Sequence, residues 1–385
     1  MRSFCIRSGA AVLFPLTLVF CAVSAVFADQ TADGAQNLSF DRAEDSTISI
    51  RADGELFARF VPNCDGTPIL WPIRSPSGAL MSRSLPMISD IDVAALTDPE
   101  WKNICRNAQN SVVAEQNDHP HHRSLWFNHG DLNGADFWAL GKNTTIRFEE
   151  ILRLEKTDSG QIVLVTRNRW SDDAKKIDLA EDIRTMTFAA GDIAGNIAGD
   201  KAPIRLIDYD VQFTALVDSL TFGDTKEGTF GCRTPGTMDV DAQKRYQGWG
   251  GHIVNAEGFT DNDAWAKRSG WVDYSGPVPK RLSDEELDRL GAATPETLPL
   301  GEGGIVIMNH PTSFRYPSWY HVRTYGLFAV NPFGIHDFEP DSGQSGAETL
   351  SKGEKRVFRY RLLIYDGRLS AETISRLFEE YAQTP

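Results

Sequence analysis

The chain has 385 residues, with 39 Lys and Arg against 53 Asp and Glu, a formal charge of −14 and five cysteines. So acidic a chain repels phosphate backbones, which sets nucleic acid aside as a partner. The cysteines lack the close pairing of a zinc module, and the length suits one large unit or two intimate halves.

Arg2 and Arg7 precede an apolar run from about Gly9 to Val26, and Val26-Phe27-Ala28 leads into polar sequence. This is the order of a secretory signal peptide, with residues 1–28 removed and Asp29 as the mature start. The alternative is an uncleaved anchor, since the run can just span a bilayer. Cys21 lacks the small preceding residue that lipoprotein signals carry. Loss of Arg2 and Arg7 takes the charge from −14 to −16, and the expected location is periplasmic or secreted with no membrane span in the mature chain. Cys64, Cys105 and Cys232 remain, and an oxidising compartment allows one disulfide, such as Cys64 to Cys105.

Residues 29–45 read as a flexible lead-in and 46–385 as a single domain. Ser46–Arg51, Leu56–Val61, Pro68–Pro72, Thr144–Glu149, Ile162–Trp170, Arg184–Phe188, Ile204–Ala215 and Lys355–Tyr365 read as strands separated by Gly, Pro and Asp. Several alternate apolar with charged residues, as antiparallel strands with one buried face do. Helical signals are few: Ser283–Leu290 with an N-cap serine and acidic residues in its first turn, and Ser370–Tyr381 as an amphipathic helix that closes the chain. About 15 or more strands exceed one flat sheet, so the expected fold is all-β, a large antiparallel two-sheet sandwich with a few short helices.

All eight histidines lie between His119 and His336, four of them in Asp118-His-Pro-His-His-Arg-Ser-Leu-Trp-Phe-Asn-His-Gly-Asp131. Three readings of this block stay open. In the first it is a polar active-site wall, with His122 exchanging a proton with a substrate oxygen while His119, Arg123, His129 and Asp131 bind the substrate. In the second, His119 and His121, with Asp118 or His129, hold a divalent metal, because histidines two apart on a strand share a face. In the third the segment is a turn whose histidines bond only to backbone. Gly130–Trp138 then places carboxylates and amides beside aromatic rings, which suits a sugar with an apolar face and a rim of hydroxyls.

Lys226–Arg233 supplies Glu227 as a carboxylate base, or else a surface pair at a strand end, and Arg233 as a substrate-binding cation. Lys267 and Arg268 stand between Trp265 and Trp271, to clasp an anion over an aromatic surface or to form a solvated edge. His310 follows a strand-like run and its His-Pro pair echoes His119-Pro120; Trp319, His321 and Arg323 follow a Pro-containing loop, with His321 and Arg323 two apart and able to face one cleft. The catalytic candidates are therefore His122, Glu227, His310 and His321, with His119, Arg123, His129, Asp131, Arg233, Lys267, Arg268, Trp319 and Arg323 as substrate-binding candidates.

From about residue 50 to 367, the His119 block, Trp265–Tyr274, Trp319-Tyr-His-Val-Arg323 and Tyr325–Gly334 resemble the PmoA-like family of bacterial proteins. The family's name implies a methane oxygenase subunit, which would need several spanning helices that the mature sequence lacks. Ala266 stands where the family pattern has glycine, a change that a positive φ there would penalise. Asn331-Pro-Phe-Gly334, with Leu350–Arg361, is similar to galactose-mutarotase-like supersandwich proteins of the aldose-epimerase type. That resemblance implies a small-molecule carbohydrate as substrate, a histidine acid and a carboxylate base. The expectation is an exported carbohydrate-active enzyme, a hydrolase or lyase, for which the five motif cations suggest an anionic sugar such as a uronate. A non-catalytic carbohydrate-binding module and a metal-dependent enzyme are the alternatives.

Overall fold

The computed structural model describes residues 36–83, 119, 121–139, 143–193, 202–241, 250–281 and 300–385. The expected signal segment and Ser283–Leu290 helix, with Cys105, Asp118 and Pro120, lie outside these described residues.

The protein is an all-β sandwich. In chain order its strands are β1 (Leu38–Arg42), β2 (Ile48–Ala52), β3 (Glu55–Cys64), β4 (Thr67–Ile73), β5 (Leu125–His129), β6 (Thr144–Lys156), β7 (Ile162–Asp172), β8 (Ile177–Ile193) and β9 (Ala202–Ala215). There follow β10 (Ser219–Phe222), β11 (Gly228–Arg233), β12 (His252–Asn255), β13 (Trp271–Pro279), β14 (Leu300–Asn309), β15 (Trp319–Val322), β16 (Leu327–Asn331), β17 (Glu348–Ser351) and β18 (Lys355–Asp366). The first eight-stranded sheet runs β1-β2-β3-β4-β5-β11-β16-β15, the second β12-β13-β14-β18-β9-β8-β7-β6, and β10 pairs with β17 apart from both. Every ladder is antiparallel. Among the described residues, no helix is long and apolar enough to cross a membrane.

Strand β1 corrects the reading of residues 29–45 as a flexible lead-in: Leu38 is buried in the core, and Leu38–Arg42 pair with Ala52–Ile48. The alternation Leu-Ser-Phe-Asp-Arg was short, but an adjacent strand supplied its partner.

The core fills the space between the sheets. Phe127, Phe230, Phe328 and Val330 of the first sheet meet Tyr209, Phe213, Phe358 and Tyr360 of the second. Phe230 stacks on Tyr360 with ring centroids 4.7 Å apart, and Phe127 lies 5.3 Å from Phe358. Two buried arginines tie the layers. Arg184 on β8 donates to the carbonyls of Pro68 and Phe127, and Arg205 on β9 to those of Leu56 and Arg74. Asp182 neutralises Arg184 at 2.9 Å.

Two helices complete the described structure, α1 (Ile335–Phe338) and α2 (Ala371–Ala382). Ser370 caps α2 by accepting from the Thr373 amide at 3.1 Å. The helix lays Ile374 and Tyr381 over the outer side of the second sheet, against Trp271, Met308, Leu363 and Tyr365.

Candidate functional site

Alternation along the strands separates the two sides of the first sheet. On β5, Leu125 and Phe127 enter the core, whereas Trp126 joins Trp71, Trp138, Leu327 and Ala329 on the outer side. On β15, Tyr320 and Val322 enter the core, whereas Trp319 packs with α1, and His321 touches Phe338 of that helix with centroids 6.0 Å apart. The outer side of β5, β11, β16 and β15 therefore carries aromatic residues, the histidines His119, His122 and His321, and the cations Arg233 and Arg323.

The His119 segment closes a turn there, with the His122 amide donating to the His119 carbonyl at 2.9 Å. Ser124, at φ +59°, ties it to β4 by donating to the Leu70 carbonyl at 2.6 Å. The turn builds a ladder of parallel rings. Tyr325 stacks on His119 at 5.2 Å, His119 on His122 at 4.9 Å, and His122 on Trp126 at 5.5 Å, with planes within 9° of each other at every step. Trp138 closes on Trp126 and His122 edge-on. Glycine is required beneath: a Cβ on Gly231 would stand 2.5 Å from the Trp126 ring, so the indole lies across β11 only because that position has no side chain.

Two hydrogen bonds fix the protons on two histidines. Arg233 Nη1 donates to His122 Nδ1 at 2.8 Å; a guanidinium has no acceptor, so Nδ1 is bare and the proton of the neutral ring sits on Nε2. His321 Nδ1 lies 2.9 Å from the Lys226 carbonyl, which only accepts, so that ring carries its proton on Nδ1 and leaves Nε2 as a lone pair. Neither Nε2 makes a hydrogen bond among the described residues. Burial holds His321 down to about 4, against a smaller opposing pull from the Lys226 carbonyl. Burial, with Arg233 next, holds His122 well below the usual imidazole range, and His321 is close enough to add to that depression. Both rings are neutral at pH 7. One presents an N–H, the other a base.

Around them, the Arg233 guanidinium stands 5.2 Å over the Tyr325 ring. Arg323 stands over Tyr325 at 5.8 Å and Trp265 at 5.5 Å. Glu227 Oε2 lies 3.8 Å from His321 Nδ1, while Oε1 pairs with Lys226 at 3.3 Å. Trp126 Nε1 and Asn128 Oδ1 are buried without a hydrogen-bond partner among the described residues. A buried donor and acceptor left open are costly unless a ligand or water completes them.

The structure thus brings His119, His122, Arg233, Glu227, His321 and Arg323 to one side of the first sheet. Arg123 sits at its margin, ion-paired to Asp65 and bonded to Cys64 Sγ at 3.2 Å. Trp319 donates to Glu339 at 2.8 Å, and Arg268 lies on that ring while its Nε donates to the Pro317 carbonyl, so this pair forms a rim. Lys267 rests over Phe259.

Three candidates are placed elsewhere. His310 is on the outer side of the second sheet, against Tyr381 of α2 and bonded to Thr312 at 2.8 Å, so it cannot act with His122. His129 follows Phe127 in the alternation and is buried in the core between Phe222 and Phe333, its Nε2 donating to the Gly223 carbonyl at 3.0 Å. Asp131 accepts from the Gly134 amide at 2.8 Å and serves a turn. Of the expected metal set, Asp118 lies outside the described residues, and the other members do not converge. His119–His122 is a turn rather than a strand, and His129 points away from it. No group of three metal-ligating side chains converges among the described residues.

Trp126, Trp138, Tyr325 and Asn128 were missed as site residues. Alternation about Phe127, with the Trp-x-Asn spacing of Trp126 and Asn128, was the signal that could have found two of them.

Fold and site define an all-β sandwich with a histidine-bearing aromatic surface on one sheet. The chain belongs to a family of unknown function (DUF6807), whose profile matches residues 47–379. No curated protein matches it.

Proposed function

We propose that the protein is an exported carbohydrate-active enzyme, a hydrolase or lyase acting on a sugar or glycoside with anionic character, and that its chemistry lies between His321 and His122. The observation that carries this reading is the pair of opposite tautomers described above. His321 Nε2 accepts a proton from the substrate. His122 Nε2–H, backed by Arg233, faces the oxygen on which negative charge develops. A neutral imidazole is a poor proton donor but a good hydrogen-bond donor, and Arg233 keeps it neutral, which favours elimination through an enolate-like state over hydrolysis. In such a step His321 removes the proton beside a carbonyl or carboxylate, the C–H electron pair forms the double bond, the C–O bond breaks with its pair going to the leaving oxygen, and that oxygen departs as a hydroxyl on taking the proton from the His321 imidazolium.

Aromatic rings suit the apolar face of a sugar, and Arg233 and Arg323 suit a carboxylate. The resemblance to PmoA-like proteins fits this reading only if the name of that family does not describe its chemistry. Export rests on the sequence of residues 1–28 and predicts a mature protein starting at Asp29 by mass spectrometry.

The test is incubation with a panel of oligosaccharides, glycosides and uronate-containing glycans, monitored for product and for new absorbance from a conjugated double bond. Turnover that falls by about 10² to 10⁴ in His321→Gln and His122→Gln, with the fold intact, supports the proposal. A protein that binds a sugar yet never converts one is a binding module, and the proposal fails.

A further inference from the structure

A second site is built on the opposite layer. The outer side of β12, β13 and β14, with the end of β18 and the turn after it, encloses a cavity of about 590 Å³. Its polar lining is Asp273, Ser275, Glu302, Tyr365, Arg368 and His252, and Val254, Pro277 and Leu369 add apolar wall. Asp273 is 3% exposed, and Tyr365 donates to its Oδ1 at 2.7 Å. Gly304 leaves room for that hydroxyl, since a Cβ there would come within 2.2 Å of it.

The charges facing Asp273 from each neighbouring element are committed elsewhere. Arg368, in the turn after β18, is bidentate to Glu302 of β14 at 2.7 and 3.1 Å. His252 of β12 is turned to Asp261 at 3.1 Å. Tyr365 of β18 brings a hydroxyl but no charge. A buried carboxylate without a cation is unstable as an ion.

We propose that this cavity is a ligand site for a small organic ammonium, with Asp273 as the counter-ion, Tyr365 orienting the carboxylate and the apolar wall receiving the carbon skeleton. An anionic ligand would add charge of the wrong sign, and the described residues offer no set of three ligands for a metal. The site is separate from the His122–His321 surface, so neither stands or falls with the other.

Burial holds the Asp273 carboxyl up to about 7, partly offset by hydrogen bonds from Tyr365 and Ser275. An ammonium binds the ionised form and expels the proton, so affinity rises about tenfold from pH 6 to pH 8.

The experiment is calorimetric titration of the full chain with ethanolamine, putrescine, choline and glucosamine at both pH values, with ethylene glycol and glucose as neutral controls. The expected result is binding of at least one ammonium compound at the higher pH, weaker binding at the lower, and proton release measured in two buffers. Asp273→Asn abolishes binding, whereas Tyr365→Phe retains it and moves its pH dependence upward, because the hydrogen bond that favours the ionised carboxylate is gone. Should Asp273→Asn not fold, the direction of the Tyr365→Phe displacement decides. The proposal is overturned if no ammonium compound binds at millimolar concentration, if the neutral controls bind equally well, or if folded Asp273→Asn binds as the parent does.

Discussion

Asp182→Asn tests whether the ties between the sheets hold the functional surface in place. Asp182 and Arg184 are both fully buried. The carboxylate accepts from Asn168 Nδ2 at 2.6 Å, Trp170 Nε1 at 2.7 Å and Arg184 Nη2 at 2.9 Å. The amide leaves Arg184 as an uncompensated buried cation and turns a donor toward one of three donors. Removing one partner of a buried pair costs about 3–5 kcal/mol. Because Arg184 also holds the carbonyls of Pro68 and Phe127, the loss reaches β4 and β5, on whose far side stand Trp71 and Trp126. Urea unfolding of parent and variant gives the difference, and near-ultraviolet circular dichroism reports the tryptophans. The double variant Asp182→Leu/Arg184→Met is expected to lose less than Asp182→Asn alone, since no buried charge remains. A loss below about 1 kcal/mol in Asp182→Asn refutes the reasoning.

Ala266 has φ +61°, a conformation that glycine adopts without strain. Ala266→Gly is expected to raise stability by about 0.5–1 kcal/mol, the relief of strain outweighing glycine's extra freedom in the unfolded chain, and a lower urea midpoint contradicts this. Burial holds His129 down to about 4 from an ordinary 6.5, so the unfolded chain takes up a proton between those values that the folded chain refuses. Stability is therefore full above pH 6.5 and falls as pH drops toward 4, by about 3 kcal/mol from His129 alone, with His121, His122, His310 and His321 acting in the same direction. A urea midpoint unchanged between pH 7 and pH 4.5 contradicts the neutral imidazoles. With substrate in hand, the kcat/KM profile has an acid limb near pH 4 from His321 that is absent in His321→Gln.

The sandwich was legible because period-2 alternation marks each strand locally, as in Ile204–Ala215, and the amphipathic run Ser370–Tyr381 announces α2. The Arg233 and His321 motifs were each legible alone, as cations beside glycine or aromatic residues, but their meeting on one side of the first sheet was not. What sequence does not carry is the choice of face and layer. His122 and His129 stand seven residues apart in one histidine-rich block, yet the turn at His119–His122 and the alternation of β5 send one to the outer side of the first sheet and the other into the core between the sheets. His310 resembles His119 in its His-Pro context, but β14 belongs to the second sheet and its end is covered by α2, a contact between residues about 70 apart. The tautomers depend on Arg233 and Lys226, each distant in sequence from the histidine it meets.

Long-range proton–nitrogen correlation NMR of the ¹⁵N-histidine-labelled protein at pH 7, assigned with His122→Gln and His321→Gln, tests the proposed chemistry most directly. The structure predicts two neutral rings of opposite form, His122 protonated at Nε2 and His321 at Nδ1. An imidazolium at either position, or the same tautomer at both, contradicts the assignment of base and hydrogen-bond donor.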